Sequence, residues 1–455
     1  MQVKWKAQLK ALLLLVLTAV LVTACGGGNG GGDSENDTGS NSPGNTAKKE
    51  EEKVKLSIWH NFAGDDLRAR TVRSFIEKFQ AEHPEVELDA QAIPPDGYRQ
   101  RLSTVAAANE MPDVFFTYAG SHSTEFYKAG LIQPITDIAR AHPEWKEKFF
   151  DGAFTPYEFE PGEIYSAPIG MSATSFLYYN PELFEKYGLQ VPNTWDELVH
   201  VINVFNENGV TPIALGNKAP WVAQSTILGS LADRVTGTEW FLKAVKQDGA
   251  KFTDPEFIEA LNYFKQLVDL KAFQEGANSI DNTQAEQYFI QGNAAMMIGG
   301  AWAVTNLAAS ASEEQLAKIE MTTIPSIPGG KGEPNTISGG PGAGFALSSR
   351  TEGKARELAL ELIYTLSGPD AQKAIAESNS LVMYDTEIDE TKVNALYNKM
   401  FQLVKTVGVT PVYDAYLSSE AAEVINNGLQ EIMLGGSVES VAQKLQAAQA
   451  RAVAE

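Results

Sequence analysis

The sequence predicts an α/β protein whose folded part is divided into two domains. From Val54 onward, short β-rich runs alternate with stretches of helical periodicity, and the order strand–helix–strand is typical of a parallel sheet. A second series of the same kind begins near Ser175. The chain has 455 residues, and the part after Lys53 is too long for one ordinary hydrophobic core, so two domains are expected.

The first series rests on local signals. The run VKLSIW (54–59) indicates a strand, and apolar residues then recur at i, i+3, i+4 and i+7 over 65–82, as in an amphipathic helix. His83-Pro84 ends that helix. The remaining elements of this series are a strand at 86–93, a helix at 98–109 and a strand at 113–118.

The second series begins with the strand SFLYYN (175–180). Thr194 and Glu197 then have the spacing of a capping box, which predicts a helix start. The stretch from Thr351 to the C-terminus is mainly helical. Two clusters rich in glycine and proline, 325–335 and 338–344, predict a loop and a crossover between domains, since strand signals flank them. Further strands are predicted at 211–216, 294–300 and 342–349.

The N-terminus has the pattern of a secretory signal, which we assign to residues 1–24. Lysines precede a run of Ala, Leu and Val at 11–22 that is too short to span a bilayer comfortably. The sequence VTAC that follows resembles the lipobox of bacterial lipoproteins, which implies a lipidated Cys25 as the mature N-terminus. Residues 25–53 are rich in Gly, Ser and Asn and predict a flexible tether. We therefore expect a protein held on the outer face of the cell membrane.

Composition excludes several classes of function. The formal net charge is −22, and removal of residues 1–24, which carry three lysines and no other charge, makes it −25. A protein with this negative charge repels nucleic acid. The sequence contains no H-E-x-x-H, G-x-S-x-G, Walker A or G-x-G-x-x-G motif. The five histidines are scattered and the single cysteine has no partner at metal-ligand spacing. We expect no metal, no cofactor and no catalysis.

Aromatic residues at the ends of predicted strands are the distinctive remaining feature. An indole face can stack on the C–H face of a pyranose ring, while neighbouring acids and amides bind hydroxyl groups. Trp59 ends the first strand, although a core tryptophan fits the same pattern equally well. Trp221 and Trp302 each follow a later predicted strand. These residues predict a carbohydrate site.

Five ordered blocks then carry a resemblance to a known family. From about Val54 to the C-terminus the chain resembles the family 1 extracellular solute-binding proteins of ABC sugar importers, which include maltose-binding protein. The blocks are KLSIWHNFAGDD, MPDVFFTYAGSHSTEFYKAGLIQPI, EIYSAPIGMSATSFLYYNPELFEKYGLQVPNTWDEL, FIQGNAAMMIGGAWAV and TISGGPGAGFALSSRTEGKARELALELIYTLSGPDAQ.

The resemblance implies a two-lobed periplasmic-binding-protein fold (type II), with the ligand cleft between the lobes and three hinge crossovers near 168–171, 336–340 and 380–384. Lobe 1 would comprise 54–168 plus 338–379, and lobe 2 would comprise 169–337 plus 380–455. The implied partners are a carbohydrate and the permease subunits of an ABC importer. We expect a monomer.

The same resemblance implies the ligand-binding residues. Trp302 matches a stacking tryptophan in lobe 2, and Trp221 matches an aromatic residue that faces the sugar across the cleft, so we expect closure to bury the sugar between them. His122 is an extra hydroxyl partner in this prediction, although a solvated or helix-capping histidine fits as well. The other predicted contacts are Trp59, Asn61, Asp65, Tyr118, Tyr384, Tyr413, Asp414 and Tyr416.

Two functions fit these observations. The first is a membrane-anchored receptor that captures a carbohydrate and delivers it to an ABC permease without catalysing a reaction. We expect this carbohydrate to be an oligosaccharide. The alternative is a surface hydrolase or lyase that acts on polysaccharide, because the same anchor and aromatic residues would serve it and a catalytic carboxylate pair has no sequence signature. Turnover of oligosaccharides distinguishes the two functions.

Overall fold

The computed structural model describes residues 53–454. The predicted signal peptide (1–24), Cys25 and the tether as far as residue 52 lie outside the described residues. Between residues 53 and 454, no helix combines the length and the apolar character needed to cross a bilayer.

Strands and helices are interspersed along the described chain. The strands are β1 (Val54–His60), β2 (Val86–Ala92), β3 (Val114–Thr117), β4 (Ile132–Gln133), β5 (Ser166–Pro168), β6 (Met171–Thr174), β7 (Phe176–Tyr179), β8 (Thr211–Ala214), β9 (Ala294–Gly299), β10 (Glu320–Thr323), β11 (Thr336–Pro341), β12 (Gly344–Ser348) and β13 (Gly408–Pro411).

Helices lie between and after these strands along the chain. They are α1 (Leu67–Glu82), α2 (Pro95–Ala107), α3 (Ser121–Lys128), α4 (Thr136–Ala141), α5 (Pro143–Glu147), α6 (Pro181–Lys186), α7 (Trp195–Glu207), α8 (Trp221–Ala223), α9 (Gly229–Thr236), α10 (Thr238–Lys246), α11 (Pro255–Asp269), α12 (Asn282–Ile290), α13 (Trp302–Ala308), α14 (Glu313–Lys318), α15 (Gly353–Ser367), α16 (Pro369–Glu377), α17 (Ala395–Val404), α18 (Tyr413–Tyr416), α19 (Ser419–Met433) and α20 (Val438–Ala454). A π-helix (Gln224–Leu228) joins α8 to α9, and short 3₁₀ helices occupy Thr155–Tyr157 and Glu390–Lys392.

Side-chain caps begin two of the main helices, and one of them, the box at Thr194, was predicted from the sequence. Asp66 caps α1 by accepting a hydrogen bond from the Ala69 N–H at 3.0 Å. Thr194 and Glu197 form the predicted capping box at the start of α7. These bonds satisfy backbone donors that have no partner within the helix, so they fix where each helix begins.

The first sheet has the strand order β2-β1-β3-β12-β4, with β5 also paired to β12. β1 runs parallel to β2 and β3, as predicted, but β12 runs antiparallel to its neighbours. The parallel arrangement predicted for the first series is therefore confirmed, and the antiparallel β12 makes the sheet as a whole mixed. The reason is that β12 comes from a distant part of the chain, and its direction is not set by a strand–helix–strand connection.

The second sheet, with the order β10-β7-β9-β8, is also mixed. Only β8 and β9 are parallel in it, and they end at the same edge. β7 is antiparallel to both of its neighbours. This pairing matters for the site because the chain continues from the ends of β8 and β9 to the two predicted tryptophans.

The third sheet, β13-β11-β6, contains segments that the sequence assigned to crossovers. β11 pairs with β6 in the antiparallel sense, so two of the crossover segments lie side by side. The third predicted crossover, near 380–384, is bonded to the first, because the Met171 N–H donates to the Leu381 carbonyl at 2.9 Å. The three segments therefore form one hydrogen-bonded group.

Buried hydrophobic residues form three core clusters. The first core cluster draws on residues 56–169 and 345–384. The second core cluster draws on 177–327 and 413–448, and the third on 173–337 and 381–400. The first core cluster is thus built from two separate parts of the chain: residues 56–169, and the later segment that contains β12, α15 and α16.

Candidate functional site

Trp221 and Trp302 form a pair of half-buried indole rings. Their centroids are 5.5 Å apart and their planes are inclined at 68°, an edge-to-face arrangement. Trp221 opens α8 after β8, and Trp302 opens α13 after β9. Because β8 and β9 are parallel neighbours, the sequence places both rings at one edge of the second sheet.

This geometry corrects the expected mode of binding. A sugar ring held between two aromatic faces needs about 7 to 8 Å between them, twice the optimal carbon–carbon separation of about 3.5 to 4 Å. The rings of Trp221 and Trp302 are closer than that and are not parallel. They can form one continuous apolar surface, but in this structure they cannot enclose a sugar between them.

The Trp302 ring lies over Gly300. A Cβ atom on Gly300 would stand 2.1 Å from that ring, so only glycine allows this placement. The Trp302 Nε1–H is buried and has no hydrogen-bond partner among the described residues. An unpartnered buried donor is costly, and a ligand oxygen is one group that would satisfy it.

A second unsatisfied polar group lies in the π-helix that follows α8. The Gln224 side chain is fully buried, and neither its Oε1 nor its Nε2 has a partner among the described residues. π-helical turns occur frequently at functional sites. Gln224 was not predicted as a site residue. The one signal in the sequence is the presence of this amide side chain in the mainly apolar run WVAQSTIL (221–228).

Glu286 on α12 is a third buried polar group. Its Oε1 accepts hydrogen bonds from Asn282 Nδ2 at 2.6 Å and from Asn306 Nδ2 at 3.2 Å, whereas Oε2 has no partner among the described residues. Burial raises the pKa of Glu286 to about 8, and the nearby charges of Asp281 and Asp66 act in the same direction. A glutamate on a helix gives no sequence signal of this kind, so it too was missed.

Four of the predicted residues meet around Tyr118. Asn61 Nδ2 donates to Tyr118 Oη at 2.8 Å, and the Tyr118 and His122 rings are 5.8 Å apart. The Arg99 guanidinium lies 4.0 Å from the centre of the Tyr118 ring and forms a 3.1 Å ion pair with Asp414. Arg99 thus links Asp414 to the end of β3, and sequence reasoning did not identify it.

His122 is held neutral in this group. Burial, with a further contribution from the Arg99 charge, lowers the pKa of His122 to about 3. Its Nδ1 lies 3.4 Å from Thr117 Oγ1, and its Nε2 is buried without a partner among the described residues. A neutral imidazole can either donate to or accept from a hydroxyl group at that nitrogen.

Trp59 and Asp65 have different surroundings. The Arg101 guanidinium lies 4.7 Å from the Trp59 ring, so part of that indole is covered by α2. The Asp65 side chain is fully exposed, with its carboxylate 3.9 Å from Arg73 Nη2. Asp65 is therefore available to a ligand, whereas Trp59 has one ring face occupied by a side chain of the protein.

The predicted tyrosines from the C-terminal part are divided between core and surface. Tyr384 is buried in the first core cluster, with its ring 4.9 Å from that of Phe149. Tyr413 is buried and stacks on Phe241 with a centroid separation of 3.7 Å. Tyr416 is 48% exposed. The structure does not bring these rings against the Trp221–Trp302 pair through any ring contact within residues 53–454.

Residues 53–454 contain no group of three or more histidine, cysteine, aspartate or glutamate side chains that could hold a metal ion. The buried polar groups described above are the Gln224 amide, the Trp302 indole N–H and the Glu286 carboxyl, whose pKa is raised by burial; such groups suit neutral hydroxyl-bearing ligands.

Comparison with known proteins agrees with this chemistry. A family model described as bacterial extracellular solute-binding protein matches residues 65–373. An uncharacterized ABC transporter extracellular-binding protein of Pyrococcus horikoshii is 27% identical over 58% of this chain, and the match spans 59% of that relative. A solved structure from a study of xylan utilization by Caldanaerobius polysaccharolyticus is 28% identical, with a TM-score of 0.78 over 87% of this chain and 99% of the other. A chitin oligosaccharide binding protein is 24% identical, with a TM-score of 0.80 over 88% and 99% of the two chains.

Proposed function

The chain belongs to the bacterial extracellular solute-binding protein family, and on that premise we propose that it captures an oligosaccharide and delivers it to an ABC permease. Its fold is the two-lobed α/β fold of type II periplasmic binding proteins, as the sequence predicted. The family acts outside the cytoplasm and consists of binding proteins. The observation that carries the proposal is the paired apolar surface of Trp221 and Trp302, in which the buried Trp302 Nε1–H has no partner among the described residues.

The lobes we propose are 54–168 plus 338–379 and 169–337 plus 380–455. In support, the first core cluster is drawn almost entirely from the first set, and the other two clusters are drawn from the second. In this division the two tryptophans belong to lobe 2, and Asn61, Asp65 and Tyr118 belong to lobe 1. Binding would then close the lobes over the ligand by rotation at the crossovers.

The proposed site uses these residues in different ways. Trp302 and Trp221 provide the stacking surface, and Asp65, Asn61 and His122 provide hydroxyl partners from lobe 1. Asp414, Tyr118 and Arg99 position one another at the edge of the site. Trp59, Tyr384, Tyr413 and Tyr416 would contribute through packing of the surrounding elements, since the first three are covered by other side chains.

We also propose that lipid on Cys25 anchors a monomer to the outer face of the cell membrane, with the tether allowing the body to reorient. The support is the sequence alone: a signal-like segment, a cysteine after small residues and a tract rich in Gly, Ser and Asn. A Cys25→Ala variant should move from the membrane fraction to the soluble fraction of the expressing cell. Unchanged fractionation would contradict the anchor.

Titration of intrinsic tryptophan fluorescence tests the function. The purified full chain is titrated with xylotriose, triacetylchitotriose, maltotriose and raffinose, because relatives of the fold are described with xylan and chitin oligosaccharide. We expect a saturable change with at least one of them and no turnover on prolonged incubation. If no saccharide changes the fluorescence although the protein is folded, the proposal of a sugar ligand is contradicted. Turnover of a saccharide would favour the hydrolase or lyase alternative.

Asp65→Asn should weaken binding of the saccharide that responds in that titration about fivefold. The reason is that a hydrogen bond to a charged acceptor exceeds one to a neutral acceptor by about 1 kcal/mol. The melting temperature should not change, because the side chain is fully exposed. Glu82→Gln, at the other end of α1, is the matched control and should bind like the original protein. Equal affinity of both variants would remove Asp65 from the site.

A further inference from the structure

The hydrogen bonding of Glu286 is complete at one oxygen and absent at the other. Oε1 accepts from the amides of Asn282 and Asn306, whereas Oε2 is buried and has no partner among the described residues. The residue as a whole is 1% exposed. A buried carboxyl oxygen without a partner is rare in folded proteins, so Oε2 is a candidate for a functional contact.

The surroundings of Glu286 favour a neutral carboxyl group. Asp281 caps the same helix, and Asp66 approaches from the start of α1; both negative charges raise the pKa of Glu286, in addition to burial. From β7, Tyr178 is the titratable neighbour, and proximity to Glu286 contributes to its own raised pKa. The amides of Asn282 and Asn306 act in the opposite direction but do not outweigh burial. At neutral pH the carboxyl therefore keeps its proton.

The position of the proton follows from the hydrogen bonds. Oε1 already accepts two N–H groups, so the acidic proton belongs on Oε2, where it is a donor without an acceptor in the part of the chain that the structure describes. Asn306 lies four residues after Trp302 on α13, so the two side chains are on the same face of that helix. Asp66 begins the helix that follows β1 and belongs to the proposed lobe 1. Glu286 is therefore joined by a hydrogen bond to the helix that Trp302 begins, and its pKa is raised in part by the charge of Asp66 in the proposed lobe 1.

We propose that Glu286, held by Asn282 and Asn306, is a ligand-binding residue that donates its carboxyl O–H to a hydroxyl or ring oxygen of the bound saccharide. The inference rests on the proposed function and adds a residue and a proton requirement to it. Loss of the proton removes the donor and creates a second negative charge facing Asp66, so ionisation disfavours the liganded state twice.

The expected signature is an alkaline loss of affinity. Above a pH of about 8 the neutral form of Glu286 becomes the minor form, and the dissociation constant should rise about tenfold for each further pH unit because one proton is linked to binding. Glu286→Gln keeps an acceptor at one position and an N–H donor at the other and cannot ionise. Its affinity should therefore be constant between pH 6.5 and pH 9.5.

The experiment is calorimetric titration of the purified full chain at pH 6.5, 7.5, 8.5 and 9.5, using the saccharide of the fluorescence panel that gives the largest response. Glu259→Gln, an exposed glutamate on α11, is the matched control and should follow the original protein. Asp66→Asn keeps the helix cap but removes one of the charges that retain the proton. It should therefore shift the alkaline loss to lower pH, independently of how well Glu286→Gln folds.

The outcomes separate this inference from the function on which it rests. A pH-dependent affinity in the original protein and in Glu259→Gln, with a constant affinity in Glu286→Gln, supports the proposal. Binding that is independent of pH in the original protein, or that falls equally in Glu286→Gln, overturns the role of Glu286 and leaves the proposed function intact. Absence of binding to every saccharide at every pH overturns both.

Discussion

Trp302→Ala is expected to weaken saccharide binding about 5- to 150-fold. Stacking of a planar ring on an aromatic side chain contributes about 1 to 3 kcal/mol where it has been measured on nucleic-acid bases, and we take that scale for a sugar face. Two features of the structure favour the upper part of the range. The ring of Trp302 supports Trp221 edge-to-face, and its buried Nε1–H has no partner within residues 53–454. Removal of the indole would therefore also loosen Trp221 and delete a donor.

Fluorescence titration of the remaining tryptophans, or calorimetry where the signal is lost, measures this change. Trp302→Phe keeps an aromatic face but lacks the N–H, so it should bind with intermediate affinity. Trp59→Ala is the contrasting control: its indole is partly covered by Arg101, and we expect a smaller loss of affinity. Far-ultraviolet circular dichroism confirms that each variant is folded. An unchanged dissociation constant in Trp302→Ala would exclude this ring from the site.

Local signals explain why much of the fold could be predicted. The helix over 65–82 and the box at Thr194 depend on periodicity and on side chains within four residues, which the sequence displays directly. The ends of β8 and β9 could likewise be placed, and with them the two tryptophans. The direction of β12 could not, because it depends on which distant strand it pairs with.

The details of the site depend on contacts that no local pattern encodes. Gln224 and Glu286 are unusual only because the folded chain buries them and leaves some of their polar atoms without partners in the described part of the chain. In the sequence they are an ordinary glutamine and an ordinary helical glutamate. Arg99 shows the same limit, since its ion pair joins it to Asp414, far along the chain. The types of residue in the sequence were enough to predict a class of ligand. The burial and the hydrogen-bond or ion-pair partners of individual side chains could be seen only in the structure.

Gly120→Ala is expected to produce a large loss of stability, because this glycine meets two separate constraints. Its φ of +84° and ψ of −134° lie in a region that only glycine adopts readily, at a cost of about 1 to 3 kcal/mol for other residues. An added Cβ would also stand 1.9 Å from the carbonyl oxygen of Ala415 on α18. Displacing packed backbone typically costs a further amount of about 1 to 3 kcal/mol. The combined loss would be about 2 to 6 kcal/mol.

Gly130→Ala separates the two constraints. Gly130 also has a positive φ, +67°, but a Cβ there would meet no atom within 4 Å, so this variant bears only the conformational cost of about 1 to 2 kcal/mol. Thermal unfolding should therefore rank the original protein above Gly130→Ala and Gly130→Ala above Gly120→Ala. Because Ser121 Oγ donates to the Asp414 carbonyl at 3.0 Å beside this contact, Gly120→Ala should also disturb the Arg99–Asp414 pair and lower saccharide affinity. Equal melting temperatures for the two variants would show that α18 does not press on Gly120 in solution.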